Sequence, residues 1–344
     1  MKLQILIPHY HETAEEVRPL LDSIAIQQNV PFDEIGVILC HDGTDIEDLD
    51  FPAYPFQIEQ IHQEHKGVSA ARNACLDHAT AEYVMFCDAD DMFYNACGLW
   101  ILFREMKTGF DSLTSCFTEE TRAPEDIPEQ RAPDGTVLQP AQKKGSVAYI
   151  NRDMDSTFVH GKVHRRQYLI DKGIRWNDAL TIHEDSYFNI LCQNLSGNVK
   201  YCPTPFYLWK WRDESVCRHD PKYILKTYNN MLDSNDALVD EFARRGVLDK
   251  AAFYTVMMIF DAYYTMNKPE WVDQENQEYR KATELRFAEY YTKHRATWEK
   301  VPAQDKMFVS NGVRSRSVME GMQMETQTID EWLRHVAELR RADR

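Results

Sequence analysis

The first third of the chain alternates short β-rich runs with amphipathic stretches, and this alternation predicts βα units around a mostly parallel sheet. We predict strands at 3–7, 34–40, 56–61 and 83–87 and helices at 15–27 and 68–78. Ligands of open parallel sheets bind beyond the carboxyl ends of the strands. Polar turns follow three of these strands, and we expect a site where they converge: Pro8-His9-Tyr10, His41-Asp42-Gly43 and Asp88-Ala89-Asp90-Asp91.

The turn after the last of these strands holds three carboxylates, those of Asp88, Asp90 and Asp91. Ordinary salt bridges cannot neutralise all three in so short a turn, and hard cations such as Mg²⁺ and Mn²⁺ prefer carboxylate oxygens. The turn is therefore a candidate site for a divalent cation. The alternative is a solvated acidic turn in which an aspartate caps the helix predicted at 96–106.

Composition limits the class of protein. The 344 residues are 43% hydrophobic, which is enough for one large folded domain and a smaller one. The formal net charge of −16 makes nonspecific attraction to a nucleic-acid backbone weak. Eight scattered cysteines without a CxxC pair argue against a zinc ribbon or a disulfide framework. No apolar run is long enough to span a membrane and no signal-like start is present, so we expect a cytoplasmic protein.

From about residue 221 the apolar pattern becomes helical, which predicts two domains, 1–220 and 221–344. The helices predicted in the second domain are 224–245, 250–266, 274–294, 303–319 and 328–340. This region could pack on the first domain, shape an acceptor cleft or form a homo-oligomer interface. Within the first domain, the segment 118–146 is rich in Pro, Gln and charge, and we predict an inserted loop or irregular hairpin there.

Four motifs occur in a fixed order in the first domain. They are PHYHE at 8–12, HDGTD at 41–45, KGVSAARN at 66–73 and CDADD at 87–91. Together they resemble the signature of family 2 glycosyltransferases, which have the GT-A fold, and the resemblance covers about residues 1–220. The chain departs from the family pattern at His41, where an aspartate is usual, and at His11, where an asparagine often stands.

The resemblance implies an α/β GT-A domain that binds a nucleotide-diphospho-sugar together with Mn²⁺ or Mg²⁺. It implies that Asp90 and His219 bind the metal and that Asp42 accepts a hydrogen bond from the nucleobase. From the residues alone, ordinary turns, a solvated basic helix start and surface charge remain open alternatives. The residues implied to bind the nucleotide sugar are Pro8, Tyr10, Glu12, Asp42, Lys66, Arg72, Asp88, Asp91, Arg212 and Arg218.

A second acidic motif, His183-Glu184-Asp185, precedes the helix predicted at 186–193. Taken alone, an acidic pair at this place complements the helix dipole. Sugar transfer with inversion needs a general base within reach of the acceptor hydroxyl. The resemblance implies Asp185 as that base and Glu184 as its partner or as an acceptor ligand, and an exchange of the two roles stays open.

The function expected from the resemblance is an inverting, metal-dependent glycosyltransferase. It would move a sugar from a nucleotide diphosphate, most often UDP, to an acceptor hydroxyl of a glycan or glycoconjugate. One alternative is the same chemistry on a hydroxymethylated base in DNA, which the acidity of the chain disfavours. Another alternative is a noncatalytic protein that binds nucleotide sugars. Such a protein would not need the second acidic motif, because it would not need a general base.

Overall fold

The computed structural model describes residues 1–123, 130–131, 137–139, 145–151, 158–210, 223–268, 274–319 and 329–342. The chain divides into two compact units, Met1–Ser215 and Val216–Arg344. The domain boundary that we predicted at 220 lies outside the described residues, because the stretch 211–222 is not among them.

The first unit is an α/β structure, and each strand and helix predicted in its first third is present. Its strands are β1 (Leu3–His9), β2 (Ile35–Asp42), β3 (Gln57–Gln63), β4 (Tyr83–Phe86), β5 (Met92–Phe93), β6 (Ser112–Ser115), β7 (Phe117–Ala123), β8 (Gln130–Arg131), β9 (Val137–Gln139), β10 (Gly145–Asn151), β11 (Lys162–Arg165), β12 (Val199–Cys202) and β13 (Tyr207–Trp209). Its helices are α1 (Ala14–Ala25), α2 (Val68–His78), α3 (Gly98–Met106), α4 (Arg166–Asp171) and α5 (Glu184–Asn194).

Seven strands form the main sheet in the order β12-β6-β11-β4-β1-β2-β3. The strands β4, β1, β2 and β3 run parallel, and only β11 is antiparallel to its two neighbours. In this register His9 lies beside His41, and Asp42 lies beside Gln63. The carboxyl ends of β1, β2 and β4 therefore meet at one edge, as the alternation of strands and helices in the sequence predicts.

The central strands carry apolar residues on both faces of the sheet, and helices cover these residues. Leu3, Ile5 and Ile7 of β1 are fully buried in one core, and α1 and α3 contribute side chains to the same core. The intervening Leu6 is also fully buried, and α2 packs against β1 and β2. Parallel strands covered on both faces read as continuous apolar runs, which matches the sequence LQILIPH of β1.

The predicted loop at 118–146 begins and ends in strands. β7 and β10 pair as antiparallel strands in a four-stranded sheet of order β10-β7-β13-β5, and β8 pairs with β9. The sequences of both strands contain β-branched residues, such as Thr118 and Val147, which are frequent in strands. The Pro and Gln residues elsewhere in the segment led us to predict a loop instead. The residues 124–129, 132–136 and 140–144 lie outside the described residues.

An aromatic stack lies beneath α5 and fixes this helix to the sheet. The ring of Phe188 is fully buried. It stacks on Trp176 at 4.1 Å between ring centroids and meets Phe86 of β4 edge to face at 5.5 Å. Aromatic pairs in such arrangements add to the stabilisation from burial alone. The position of α5 therefore depends on this stack.

Replacing Phe188 by alanine should lower the free energy of unfolding by about 3–5 kcal/mol, because a buried aromatic ring is removed and leaves a cavity. Chemical denaturation followed by tryptophan fluorescence measures this change. The matched control is Ile170→Ala on α4, where the side chain is 49% exposed and the expected change is below about 0.5 kcal/mol. Equal losses in the two variants would contradict the assignment of Phe188 to the core.

The second unit is helical, as predicted. Its helices are α6 (Tyr223–Arg244), α7 (Leu248–Met266), α8 (Gln277–Lys300), α9 (Ala303–Met319) and α10 (Ile329–Ala342). Leu232, Ile259 and Phe287 are fully buried in its own hydrophobic core. None of the helices in the described part of the chain is long and apolar enough to cross a membrane.

One acidic cluster of the helical unit, Asp236, Asp240 and His294, resembles a metal site in composition. Asp236 accepts hydrogen bonds from His294 at 2.6 Å and from Lys293 at 2.8 Å, and Arg286 donates to it at 3.1 Å. Burial opposes ionisation of Asp236, but these donors outweigh it and hold its pKa well below the usual range. The cluster is therefore a charge-compensated contact between α6 and α8.

Candidate active site

The acidic turn after β4 is anchored to β13 by its last aspartate. Asp91 is 1% exposed, and its carboxylate accepts hydrogen bonds from the Tyr207 hydroxyl at 2.5 Å and from the Lys210 backbone N–H at 2.9 Å. Burial, with the nearby charges of Asp90 and Asp88, raises the pKa of Asp91 well above its usual range. Carboxylates crowded in this way favour either protonation or a bound cation.

The ligand atoms of Asp88, Asp91 and His160 all lie within 4.8 Å of one another. Two carboxylates and one imidazole form a donor set that suits Mn²⁺, so the residues present fit a divalent cation. Asp90, the metal ligand implied by the sequence, lies between the two aspartates and is half-buried. Its role as a ligand stays a prediction.

His160 was not assigned a role from the sequence, and its surroundings are aromatic. Its ring is 5% exposed and stacks with Trp209 at 5.0 Å and with Phe158 at 5.7 Å between centroids. The next residue, Gly161, has a φ of +65°, and a Cβ there would lie 2.4 Å from Oγ of Ser115. The turn that brings His160 to the acidic residues therefore requires glycine.

Asp42 at the end of β2 holds the loop that leads into α2. One carboxylate oxygen accepts from Gln63 Nε2 at 2.6 Å and from the Lys66 N–H at 2.8 Å, and the other accepts from the Gly67 N–H at 2.8 Å. His65 Nδ1 lies 2.9 Å from that second oxygen. Burial would raise the pKa of Asp42, but these donors outweigh it and lower the pKa.

This arrangement bears on the predicted contact between Asp42 and the nucleobase. A carboxylate has about four acceptor positions, and Gln63, Lys66, Gly67 and His65 occupy that many. A base N–H would therefore have to replace one of these donors. Lys66 and Gly67 donate through their backbone N–H groups, whereas His65 contacts Asp42 through an exposed side chain, with a side-chain exposure of 58%.

The other residues of the first motif lie around the same strand ends. Tyr10 is 42% exposed and its ring stacks on that of His65 at 4.4 Å between centroids. Glu12 accepts a hydrogen bond from the Tyr10 backbone N–H at 3.1 Å, and Pro8 is half-buried at the end of β1. Lys66 is exposed and pairs with Glu64 at 3.5 Å. The exposed faces of Tyr10 and His65 form an aromatic surface open to a ligand.

The second acidic motif sits on a strained turn at the start of α5. His183 precedes the helix with a φ of +63°, a left-handed conformation that is uncommon for residues other than glycine. Such backbone conformations concentrate at functional sites, where the surrounding contacts must hold them. The turn places Glu184 and Asp185 in the first turn of α5.

Arg72 of α2 joins the two acidic motifs. Its Nη2 donates to Asp88 at 2.9 Å and its Nη1 donates to Glu184 at 2.8 Å. The guanidinium lies over the Trp176 ring at 4.4 Å, and the residue is 4% exposed. The turn after β4 and the start of α5 are thereby held together through one buried cation.

Asp185 is half-buried beside this ion pair. Its burial and the charge of Glu184 raise the pKa of Asp185 from 3.8 to about 7, and the charge of Arg72 limits that rise. A carboxylate with a pKa near neutrality suits a general base. Arg212, Arg218 and His219, also named from the sequence, lie outside the described residues.

Known proteins with similar sequences are glycosyltransferases by name. A family model described as glycosyl transferase family 2 matches residues 4–151. The putative glycosyltransferase EpsH of Bacillus subtilis is 22% identical over 250 residues, which span 69% of this chain and 69% of EpsH. The uncharacterized glycosyltransferase YibD of Escherichia coli is 26% identical over 229 residues, which span 63% of this chain and 63% of YibD.

Solved structures support the same conclusion for the fold. The crystal structure of S. aureus TarS 1-349 matches 100% of this chain and 92% of its own, with a TM-score of 0.60 at 16% identity. The crystal structure of S. aureus TarS 1-349 in complex with UDP-GlcNAc matches 94% of this chain and 93% of its own, with a TM-score of 0.54 at 15% identity. Residues 4–151 therefore match the family 2 glycosyltransferases, and the chain as a whole has a fold similar to the TarS structure, with an α/β domain and a helical C-terminal region.

Proposed function

We propose that this glycosyltransferase uses a UDP-sugar and a divalent cation and transfers the sugar with inversion to an acceptor hydroxyl. The observation that supports this most is the pair of acidic motifs held around Arg72, of which one can bind a cation and the other contains a carboxylate with a pKa of about 7. A TarS structure of the same fold is described as a complex with UDP-GlcNAc, which favours UDP as the nucleotide. A glycan or glycoconjugate is the acceptor class that we propose.

In the proposed reaction Asp185 accepts the proton of the acceptor hydroxyl. The hydroxyl oxygen attacks the anomeric carbon of the donor from the face opposite the diphosphate. The new C–O bond forms as the bond to the diphosphate breaks, and UDP leaves with both electrons of that bond. A cation held by Asp90 or by Asp88, Asp91 and His160 would stabilise the charge on the departing diphosphate.

The aromatic surface of Tyr10 and His65 would bind the nucleobase. A stacked base gains about 1–3 kcal/mol from an aromatic partner, and the exposed faces of these two rings lie next to Asp42. The basic residues Arg212 and Arg218 would contact the diphosphate, since guanidinium groups bind phosphate oxygens in a bidentate manner.

A thermal-shift screen tests this proposal. UDP, GDP, CDP and TDP are each added with Mn²⁺, with Mg²⁺ and with a chelator, because a ligand that binds only the folded state raises the melting temperature. We expect UDP with a divalent cation to raise it most, by a margin that the chelator removes. If only another nucleotide raises the melting temperature, that nucleotide and not UDP is the donor nucleotide. If the chelator leaves the increase unchanged, nucleotide binding does not need a divalent cation.

A further inference from the structure

Arg72 occupies an unexpected position for a residue that the sequence places in the nucleotide-binding set. A side chain that contacts a dissociable donor must reach the binding cleft, but Arg72 is 4% exposed. Its Nη1 and Nη2 groups both donate to carboxylates of the protein, those of Glu184 and Asp88. Two of its three guanidinium nitrogens are therefore bonded within the protein, and the third, Nε, is buried without a hydrogen-bond partner among the described residues.

The surroundings of Arg72 keep it in one conformation. The guanidinium lies over the Trp176 ring at 4.4 Å, and the same ring stacks on Phe188 at 4.1 Å between centroids. Desolvation opposes the charge of Arg72, but Asp88 and Glu184 outweigh it and raise its pKa further above the usual range. The residue therefore stays charged at every pH at which the protein is folded.

We propose that Arg72 is a positioning residue, which holds the acidic turn after β4 and the first turn of α5 at the separation that sugar transfer requires. The inference rests on the proposed function and deepens it. Arg72 reaches both motifs because its planar guanidinium offers separate N–H groups to two carboxylates. A lysine has one ammonium group and cannot reproduce this fork.

Position and charge act together on Asp185. The charged groups that face it are Glu184 beside it on α5, Arg72 from α2 and Asp88 after β4, and the Ser186 backbone N–H donates to it at 2.8 Å. Glu184 raises its pKa and Arg72 lowers it. If Arg72 moved away, the carboxylate of Asp185 would be protonated over a wider pH range and would accept a proton less often.

The test compares Arg72→Lys with wild type in two assays, affinity for UDP with Mn²⁺ and rate of sugar transfer at saturating donor. We expect the affinity to fall less than tenfold and the rate to fall about 10²-fold, the effect of a misplacement of about 1 Å. The acidic limb of the pH–rate profile should move to higher pH. If instead the affinity falls tenfold or more while the rate is retained, Arg72 is a donor ligand and the proposal is wrong.

The matched control is Arg175→Lys. Arg175 precedes Trp176 in the chain and forms an ion pair with Asp77 of α2, and its side chain is 45% exposed. We expect this variant to keep both the affinity and the rate of wild type. A loss of rate equal to that of Arg72→Lys would mean that the region responds to any change of arginine, and it would overturn the specific role of Arg72.

A second readout needs no donor and separates this inference from the proposed function. The titration of Asp185 is followed by ¹³C NMR of carboxyl-labelled protein in wild type, Arg72→Lys and Glu184→Gln. We expect a higher pKa of Asp185 in Arg72→Lys and a lower one in Glu184→Gln, since the first weakens an attractive charge and the second removes a repulsive one. Glu184→Gln also serves if Arg72→Lys does not fold.

The outcomes of the two experiments are distinct. If wild type binds no nucleotide but the two pKa changes occur with opposite signs, the proposed function fails and the coupling of the motifs by Arg72 stands. If wild type binds UDP and transfers sugar but neither variant changes the rate or the pKa of Asp185, the proposed function stands and the positioning role is wrong.

Discussion

Asp185→Asn should lower the rate of sugar transfer by about 10²–10⁴-fold, which is the usual contribution of a general base. The amide keeps the shape of the carboxylate and can accept a hydrogen bond from the acceptor, but it cannot take the proton. The affinity for UDP stays unchanged, because the proposed nucleobase surface at Tyr10 and His65 does not include Asp185. This separation of rate from affinity is expected of a group that acts only in the transition state.

The pH dependence follows from the raised pKa of Asp185. The base is active only when it is ionised, so the transfer rate of wild type should rise with pH and reach half its plateau near pH 7. In Asp185→Asn this limb should disappear from the residual rate. A limb that remains at the same pH would assign the titration to another group, and Glu184 would then be examined by the same substitution.

The same substitution should stabilise the folded protein at alkaline pH. Between pH 3.8 and about 7 the folded state holds a proton on Asp185 that the unfolded state has lost. Stability therefore falls as pH rises through this window, and asparagine removes the loss because it does not ionise. Melting temperatures at pH 8 measure the gain, and a loss of transfer with a higher melting temperature excludes misfolding as the cause.

The matched control for Asp185→Asn is Asp178→Asn. Asp178 is exposed and accepts a hydrogen bond from Asn73 Nδ2 at 2.9 Å, which an asparagine can also accept. We expect this variant to transfer sugar at the wild-type rate with an unchanged pH profile. Equal losses in Asp178→Asn and Asp185→Asn would contradict the assignment of Asp185 as the base.

Asp90→Asn should reduce transfer by about 10²–10⁴-fold, because a bound cation supplies several kcal/mol of charge stabilisation to the leaving group. The amide is a weaker ligand for a hard cation than the carboxylate is. The thermal shift given by UDP should therefore lose its dependence on Mn²⁺, while any nucleotide binding that needs no metal remains. Titration of Mn²⁺ by electron paramagnetic resonance measures the metal affinity directly.

Two further variants distinguish the ligand sets. Asp45→Asn is the matched control, since Asp45 is exposed after β2, and it should bind Mn²⁺ as wild type does. His160→Ala should weaken Mn²⁺ binding if the cation lies among Asp88, Asp91 and His160. Full Mn²⁺ affinity in Asp90→Asn together with a loss in His160→Ala would move the cation away from Asp90.

The sheet and the helical region were predictable because their signals are local. The run Leu3–Ile7 is apolar except for Gln4, as expected for a central parallel strand, and the structure has β1 there. The helices after residue 221 were predictable from apolar spacing alone. The strands β7 and β10 were not, since their pairing joins residues on either side of a segment whose composition is typical of a loop.

The details of the site depend on contacts that sequence spacing does not reveal. Asp42 is a conspicuous residue of a turn motif, but its hydrogen bonds to Gln63, Lys66 and Gly67 depend on the register of β2 and β3 and on the loop that follows. The aromatic surroundings of His160 include Trp209, which is distant in the chain. From the sequence, Arg72 resembles a phosphate ligand at the start of a helix. Its buried hydrogen bonds to Asp88 and Glu184 are visible only in the structure.

The contacts that assemble the site also determine when it can form during folding. Arg72 and Glu184 are 112 residues apart in the chain, Asn73 and Trp176 are 103 apart, and Asp91 and Tyr207 are 116 apart. Contacts between distant segments form slowly, since the entropy of closing the intervening loop is lost before the contact compensates for it. During synthesis, the aspartates after β4 are made before their partners in α5 and β13. The proposed site can therefore assemble only after these later segments have been synthesised and have packed against the sheet.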